Sequence, residues 1–310
     1  ILNGDPLKVG MDHAIPICKK MLRRLSLFGN KGRKMTDHIH IAVAGASGRM
    51  GQLIIQQVLE SPYAKLTGAK VSCTSLFNGE ALTTLFPQGP NDVVLTSMTE
   101  KAFKNSKVII DFTTPETLQA HLDVALREKI ALVIGTTGLS KEQFQVLEKA
   151  SLTIPILYSA NFSLGINLLF EMVKEASKKL GADFDVEVLE MHHRHKQDAP
   201  SGTSLMLAKA AAEGRDLSLQ ESAIYDRTRQ RQARRENDIG FAVLRGGSVI
   251  GDHSVMFASD EEIVEFSHRA LKRDIYAKGA LKAALWLANQ KPGYYKFSDI
   301  LTTVEKSAIS

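Results

Sequence analysis

The feature that most constrains the fold is a glycine-rich turn after an apolar, β-branched run near residue 40. The run 38–44 stops at Gly45, and residues 50–59 then have the apolar spacing of an amphipathic helix. A strand, a glycine turn and a helix in this order are typical of sheets that bind a dinucleotide pyrophosphate at the helix N-terminus. The turn comprises Gly45, Ala46, Ser47, Gly48, Arg49 and Met50. Its glycines would let backbone N–H groups approach a pyrophosphate, and Arg49 lies where a cation could contact a phosphate. A turn without a ligand is the alternative.

Short apolar segments alternate with helical patterns from this turn to residue 158. Strands are predicted at 66–72, 93–96, 108–112, 131–134 and 156–158. Helices are predicted at 115–128 and 141–150. Such alternation favours an α/β fold in which a Rossmann-type parallel sheet is covered by helices on both faces.

The pattern changes after Asn161. Helices are predicted at 166–180, 203–213 and 275–289, and strands at 185–191, 240–245, 248–257 and 262–267. Because several of these strands follow one another without helices between them, we expect a mostly antiparallel sheet in a second domain of α+β type.

Composition and charge exclude several classes of protein. The chain has 310 residues, of which 44% are hydrophobic and 24% charged, so it is globular rather than disordered. The net charge of +5 is concentrated in residues 19–34 and 226–235, which we interpret as solvated segments, with anion binding as the alternative. Residues 1–35 are expected to form a disordered extension. No apolar run is long enough to span a membrane, so we expect no membrane partner.

Cysteine usage indicates a reducing compartment. The chain has two cysteines, Cys18 and Cys73, in different parts of the sequence, so no disulfide framework is predicted. We expect a cytoplasmic protein.

Two further segments indicate where the nicotinamide half of a cofactor would lie. The small residues Gly135, Thr136 and Thr137 follow the strand 131–134, at a carboxyl end where parallel sheets bind ligands. Asn161 follows the next strand, at the expected boundary between the domains, where its amide could hold the ring carboxamide or a substrate group. The alternative for the first segment is a turn without a ligand.

The end of the second strand bears on the choice between NAD and NADP. An NAD site usually has an acidic residue there, and this chain has Ser72 and Cys73 instead. Without a carboxylate to repel a 2′-phosphate, NADP should be tolerated, with Lys70 or Arg49 as candidate partners.

The richest stretch is 190–203, which reads EMHHRHKQDAPSGT. A zinc site is disfavoured, because adjacent histidines on a strand point to opposite faces and no distant ligand pattern completes a tetrahedron. A nucleic-acid patch is disfavoured because interleaved aromatic residues are missing. A substrate and proton-transfer site fits best, since an imidazole donates protons near neutral pH and Lys196 can hold a carboxylate or act as an acid.

A predicted helix begins directly after this cluster. Ser201 is the expected N-cap, and the free N–H groups of Gly202 and Thr203 would bind an anion such as a substrate carboxylate. A cap without a ligand is the alternative. The cluster and the helix start together predict a small dianionic substrate that is reduced by hydride transfer.

These segments together resemble the ordered motifs of dihydrodipicolinate reductases. The similarity runs from about residue 38 to 300, and HHRHK with DAPSGT is its most specific part. The other matching motifs are GASGRMG, IDFT, VIGTTG, SANFSLGIN and LRGGSVIGDHSVMF. The resemblance implies NADPH- or NADH-dependent reduction of 4-hydroxy-tetrahydrodipicolinate to tetrahydrodipicolinate, in diaminopimelate and lysine biosynthesis, without a metal.

The resemblance also implies an organisation and roles for residues. A dinucleotide-binding domain would comprise 36–162 and 272–310, and a substrate-binding and tetramerisation domain 163–271. His192 would be the general acid or base and Lys196 a second proton donor, while His193, Gly202 and Thr203 would bind substrate. The implied cofactor contacts are Gly45 to Met50, Gly135, Thr136, Thr137, Ser159, Ala160, Asn161 and Phe162.

The chain departs from the family pattern at two places, and two other functions stay open. Ser72-Cys73 replaces an acidic residue followed by arginine, which leaves cofactor preference undecided, and the segment before Met35 lies outside the family core. One alternative is another two-domain dehydrogenase, acting on an amino acid or a sugar. The other is a nucleotide sensor that binds nucleic acid through its basic segments, although we expect no nucleic-acid partner.

Overall fold

The computed structural model describes residues 38–228 and 232–301. The predicted disordered extension 1–35 lies outside these residues, as does the centre of the basic stretch 226–235. No helix within the described ranges is long and apolar enough to cross a lipid bilayer.

The first of two sheets is parallel throughout, as the alternating pattern predicted. Its strands, in spatial order, are β12, β6, β5, β4, β1, β2 and β3. In chain order they are β1 (Ile39–Ala44), β2 (Ala64–Lys70), β3 (Leu95–Thr96), β4 (Val108–Asp111), β5 (Ala131–Ile134), β6 (Pro155–Tyr158) and β12 (Gly293–Lys296). The central strands are rich in Val, Ile, Leu and Ala because both of their faces are largely buried.

Helices cover both faces of this sheet. They are α1 (Arg49–Glu60), α2 (Thr99–Phe103), α3 (Leu118–Glu128), α4 (Lys141–Ser151) and α8 (Asp274–Leu287). Helices α1 and α8 pack on one face, with Ile54 and Ala280 fully buried. Helices α2, α3 and α4 pack on the other face, with Phe103 fully buried. The turns at the carboxyl ends of the strands therefore lie along one edge.

The second sheet has the order β11, β10, β7, β9, β8. Its strands are β7 (Asp185–His192), β8 (Ala223–Ile224), β9 (Ile239–Arg245), β10 (Asp252–Ala258) and β11 (Ile263–Arg269). The helices of this region are α5 (Leu164–Leu180), α6 (Gly202–Gly214) and α7 (Leu219–Ser222). Residues of α5 and α6 share a core with β7 and β10 that includes Val173, Leu207 and Val255.

The expectation of a mostly antiparallel second sheet is wrong, because the sheet is mixed. Strand β10 pairs antiparallel with β7 and β11, whereas β9 pairs parallel with β7 and β8. Helices α6 and α7 lie between β7 and β9 in the chain, and this crossover lets β9 run in the same direction as β7. The sequence predicted a helix at 203–213 between these two strands, but local patterns did not indicate that it forms a crossover between parallel neighbours.

Three other differences concern short elements. The predicted strand 248–257 begins only at Asp252, because Gly246–Gly251 form a turn in which Gly247 has φ +53°. Helix α2, helix α7 and strand β8 were not predicted, and each is five residues or shorter. Strand β12 was also missed after Lys291-Pro-Gly, and it extends the first sheet by pairing with β6.

Helix α8 approaches the backbone at Phe162 so closely that only glycine fits at Gly279. A Cβ atom there would lie 1.7 Å from the Phe162 carbonyl oxygen. The chain segment that leaves β6 is therefore held against the last long helix.

We expect Gly279→Ala to lower the free energy of unfolding by about 2 kcal/mol or more, because the added methyl group must push the helix from the backbone. Lys278→Ala, one residue earlier on the exposed side of α8, is the matched control and should change it by less than about 0.5 kcal/mol. Urea denaturation followed by circular dichroism measures both, and equal stabilities would contradict the close approach.

Candidate active site

The glycine turn leaves the start of α1 open for a phosphate. Gly45 has φ +82°, and a Cβ at Gly51 would lie 2.0 Å from the Gly45 carbonyl oxygen, so the turn tolerates only glycine at both positions. The amides of Gly45 and Ala46 both donate to the Lys70 carbonyl. Gly48 is the N-cap and offers no capping side chain, so the amides of the first helical turn can face an anion.

A buried carboxylate connects the turns after β4 and β5. Asp111, which is fully buried, accepts bonds from the Thr113 amide at 3.1 Å and from the Thr136 hydroxyl at 3.3 Å. Its second oxygen lies 2.6 Å from Nδ1 of the buried His121 on α3. Sequence reasoning identified the turns but missed this pair, for which a histidine among the apolar positions of α3 was the available signal.

Close packing explains the small residues of the second turn. A Cβ at Gly135 would lie 2.3 Å from the Phe112 ring. The Phe162 side chain is buried against Phe112, with ring centroids 5.1 Å apart. Any contact of Phe162 with a cofactor therefore falls to its backbone.

Asn161 joins the end of β6 to the start of α6. Its side-chain oxygen accepts from the Ser163 amide at 2.8 Å, and its nitrogen lies 3.1 Å from the Thr203 hydroxyl oxygen. Ser159 donates to the Asn161 carbonyl at 2.6 Å. A predicted cofactor residue and a predicted substrate residue are thus in direct contact.

Cationic side chains from both halves of the sequence line one cavity of about 710 Å³. Arg49 of the glycine turn faces it together with His193, Arg194 and His195. Arg273, which precedes α8, also lines it and was not predicted as a site residue. The pKa of His193 is lowered by partial desolvation and then by Arg273 and neighbouring cations. The cavity therefore suits anionic ligands.

Glu190, on strand β7, has 1% of its surface exposed. Burial alone opposes its ionisation, but the nearby His192 ring and hydrogen bonds from Ser201, Arg245 and Ser204 outweigh burial. Together they hold the pKa of the carboxyl well below its usual range. His253, on the neighbouring strand β10, is 5% exposed. Burial and then the nearby His192 lower its pKa to about 4, so it is neutral at neutral pH.

Lys196 turns toward Asp198 rather than toward the buried histidines. Its ammonium lies 2.8 and 2.9 Å from the two carboxylate oxygens of Asp198. This bond is the main cause that lowers the pKa of Asp198. A substrate carboxylate would replace or join Asp198 as the partner of this cation.

The N-terminus of α6 is capped as the sequence predicted. The Ser201 hydroxyl accepts from the Ser204 amide at 3.2 Å. A Cβ added at Gly202 would meet nothing within 4 Å, so there is open space at the first residue of the helix. The free amides of Gly202 and Thr203 can bind a carboxylate there.

Glu190, His192 and His253 each place a potential metal ligand within 4.8 Å of the others. The Glu190 oxygens already accept from Arg245 at 3.0 Å and from Ser204 at 2.9 Å. N–H and O–H groups therefore already donate hydrogen bonds to both oxygens of the carboxylate that a metal ion would need. The expectation that the enzyme uses no metal stays a prediction.

Together the fold and this site define a class, the oxidoreductases that bind a pyridine nucleotide on a Rossmann-like sheet. Family models for the N-terminus and the C-terminus of dihydrodipicolinate reductase match residues 39–162 and 165–301. The chain belongs to the dihydrodipicolinate reductase family, which confirms the predicted resemblance.

The chain matches relatives named for this activity over nearly their whole length. The chain is 45% identical over 263 residues to 4-hydroxy-tetrahydrodipicolinate reductase of Zymomonas mobilis, covering 85% of this chain and 97% of the relative. It is 42% identical to the enzyme of Ehrlichia chaffeensis, covering 86% and 99%. A dipicolinate-bound dihydrodipicolinate reductase from Paenisporosarcina sp. TG-14 has the same fold, with a TM-score of 0.66, 23% identity and coverage of 84% and 98%.

The basic stretch 226–235 is held by acidic residues where it is described. Arg227 and Arg234 lie 2.7 and 2.6 Å from Glu187, and Arg235 lies 3.1 Å from Asp238. These arginines are thus neutralised within the fold, which gives no support to the nucleic-acid alternative.

The pKa of His253 predicts how stability depends on pH. As pH falls below about 6.5 the unfolded chain binds a proton at this histidine, whereas the folded protein binds one only near pH 4, so stability decreases through that window. The contribution of His253 is at most about 3 kcal/mol. Urea denaturation at pH 7 and pH 4.5, at one protein concentration, measures the free energy of unfolding. Between these two pH values it should fall less for His253→Gln than for the wild type. Equal losses would contradict the buried neutral histidine.

Proposed function

We propose that the protein reduces 4-hydroxy-tetrahydrodipicolinate to tetrahydrodipicolinate with NADPH or NADH, in diaminopimelate and lysine biosynthesis. The observation that carries the proposal is the cavity in which Arg49 of the glycine turn faces His193 of the histidine cluster. Family membership and relatives of 40–45% identity with this activity support the same reaction. The substrate loses its hydroxyl group as water, and one hydride and one proton reduce the resulting double bond.

The cofactor is held along the carboxyl edge of the parallel sheet. The turn Gly45 to Met50 receives the pyrophosphate, and Arg49 adds a positive charge. Residues Gly135 to Thr137 and Ser159 to Phe162 form the walls for the nicotinamide, held together by Asp111 and Asn161. When bound, the dinucleotide supplies the hydride.

The substrate is a small dicarboxylate, and the cationic side of the cavity binds it. The amides of Gly202 and Thr203 receive one carboxylate at the helix N-terminus, and His193 is a further substrate-binding residue. Lys196 pairs with the dicarboxylate and thereby exchanges its partner Asp198. The dipicolinate bound by the Paenisporosarcina enzyme supports this class of ligand.

His192 acts as the proton-transfer residue. Its ring stabilises or protonates the charge that develops as hydride arrives, and Lys196 is the second donor. His192 is 7% exposed at the end of β7, so little water competes with the substrate for its proton.

NADPH should be accepted at least as well as NADH. The chain beyond β2 places Ser72 and Cys73 where a carboxylate would repel a 2′-phosphate, and both residues are exposed. The Ser72 hydroxyl lies 2.9 Å from the Thr74 hydroxyl, so this segment offers neutral donors.

The protein forms a homotetramer through the open face of the second sheet. The face opposite α5 and α6 carries Leu189, Met191, Leu244, Met256 and Ile263, and Leu244 and Ile263 are 48% and 67% exposed. In the register of β7 and β9, Met191 lies beside Leu244. The same face also carries the charged residues Glu187, Asp252, Glu265 and Arg269. Exposed apolar side chains surrounded by polar ones are typical of an interface between copies. A cytoplasmic location is consistent with the exposed, unpaired Cys73.

The two proton-transfer residues should respond differently to substitution. In an assay in which dihydrodipicolinate synthase supplies the substrate and NADPH oxidation is followed, His192→Gln should lower kcat by about 100-fold with little change in KM. Lys196→Ala should lower kcat and also raise KM by about tenfold, because it removes a substrate contact. Wild-type turnover of both variants would contradict the site. If folded wild-type protein did not oxidise NADPH in this assay, the proposed substrate would be wrong.

The tetramer can be tested on the open sheet face. Leu244→Glu should give dimers or monomers in size-exclusion chromatography with light scattering, because it places charges in an apolar interface. Leu152→Glu replaces a leucine that is 81% exposed beyond α4 and should leave the tetramer intact. A tetramer for Leu244→Glu, or a monomeric wild type, would contradict this interface.

A further inference from the structure

Glu190 connects two parts of the site that the proposed mechanism uses separately. It lies on β7, two residues before His192, so both side chains point to the same buried face of the strand. Its carboxylate contacts the start of α6, the end of β9 and the His192 ring. A single side chain therefore meets the groups assigned to substrate binding and to proton transfer.

The two carboxylate oxygens have different partners. Oε1 accepts from the Ser201 amide at 3.1 Å and from Arg245 Nη2 at 3.0 Å. Oε2 accepts from the Ser204 hydroxyl at 2.9 Å and lies 3.2 Å from His192 Nδ1. One oxygen thus fixes the helix start that offers the Gly202 and Thr203 amides, and the other faces the proton-transfer histidine.

The His192 ring is confined between Glu190 and the turn before β10. Nδ1 is buried and faces Glu190, although the angle at this contact falls outside that of a well-formed hydrogen bond. On the other side, a Cβ at Gly251 would lie only 3.1 Å from Nε2. The neutral His253 ring packs edge-on against His192 at a centroid distance of 5.0 Å. In this orientation Nδ1 lies toward the carboxylate and Nε2 toward Gly251.

We propose that Glu190 is a positioning residue for the reductase reaction, and this inference rests on the proposed function. Its anionic Oε2 keeps a proton on His192 Nδ1 and thereby sets the tautomer, so that Nε2 is the atom that exchanges a proton with the substrate. Its Oε1 holds the α6 N-terminus where the substrate carboxylate binds. The carboxylate couples the position of the substrate to the state of the histidine.

A carboxylate that served only to stabilise the fold would act differently. Its replacement would lower stability and reduce the amount of active enzyme without changing the proton distribution on His192. The substitution Glu190→Gln distinguishes the roles of the two carboxylate oxygens, because the glutamine amide replaces only one of them by an N–H group. Its oxygen can still accept from the Ser201 amide and Arg245, whereas its N–H group faces His192 and would donate to Nδ1.

The kinetic test uses Glu190→Gln, Glu190→Ala and Glu213→Gln in the coupled NADPH assay. We expect Glu190→Gln to lower kcat by about tenfold or more with KM within about twofold, because the substrate end is preserved. Glu190→Ala should also raise KM, since the α6 start loses its acceptor. Glu213→Gln removes a carboxylate at the far end of α6, where it pairs with Lys174 at 2.9 Å, and should leave both parameters unchanged. A kcat of Glu190→Gln within twofold of wild type would overturn the proposal.

Nuclear magnetic resonance can determine the tautomer of His192 without measuring enzyme activity. With ¹⁵N-labelled histidine, and His192 assigned from the spectrum of His192→Gln, wild-type Nδ1 should carry the proton in the neutral ring. In Glu190→Gln the proton should move to Nε2. Nδ1 without a proton in the wild type would overturn the proposal even if the variant failed to fold. If wild-type enzyme did not oxidise NADPH but this tautomer was found, the proposed function would fail while the Glu190–His192 contact stood.

Discussion

A negative charge inside the protein sets the geometry of this site. Burying the Glu190 carboxylate without partners would cost several kcal/mol, so folding must bring donors to it from other segments. The donors come from the start of α6 and from Arg245 at the end of β9, and the His192 ring on β7 itself lies 3.2 Å from the carboxylate. Arg245 also donates to the Asp198 carbonyl at 2.6 Å and so fixes the loop that carries Lys196. The carboxylate thus determines where the histidines, the lysine and the helix N-terminus lie relative to one another.

The cofactor half is organised by a similar device within the parallel sheet. All strands of that sheet end at one edge, and the glycine turn, the Asp111 turn and the Gly135 turn follow neighbouring strands there. Asp111 ties two of these turns together through Thr113 and Thr136, with His121 as its buried partner. Both halves of the site therefore rely on a buried carboxylate that contacts a histidine and accepts a hydrogen bond from at least one hydroxyl group. In each half the polar core fixes loops that an apolar core would leave free to shift.

Local signals in the sequence predicted most of the fold and most of the site. The glycine turn, the alternation of strands and helices, and the N-cap at Ser201 depend on residues close together in the chain, and the structure has each of them. Contacts between distant segments could not be predicted in this way. The parallel pairing of β9 with β7, the addition of β12 to the first sheet, and Arg273 in the cavity all depend on chain crossovers. His253 belongs to this group, since it lies 61 positions after His192 in the sequence and joins the cluster through strand pairing.

The most direct measurement of the central claim is a crystal structure of the wild-type enzyme with NADPH and a planar dicarboxylate that cannot be reduced. We predict that the nicotinamide lies against the Gly135 turn and that one carboxylate of the ligand binds the Gly202 and Thr203 amides. Glu190 should still be bonded to Ser201 and face His192. A dicarboxylate bound away from the α6 N-terminus, or a nicotinamide that lay out of reach of it, would contradict the account.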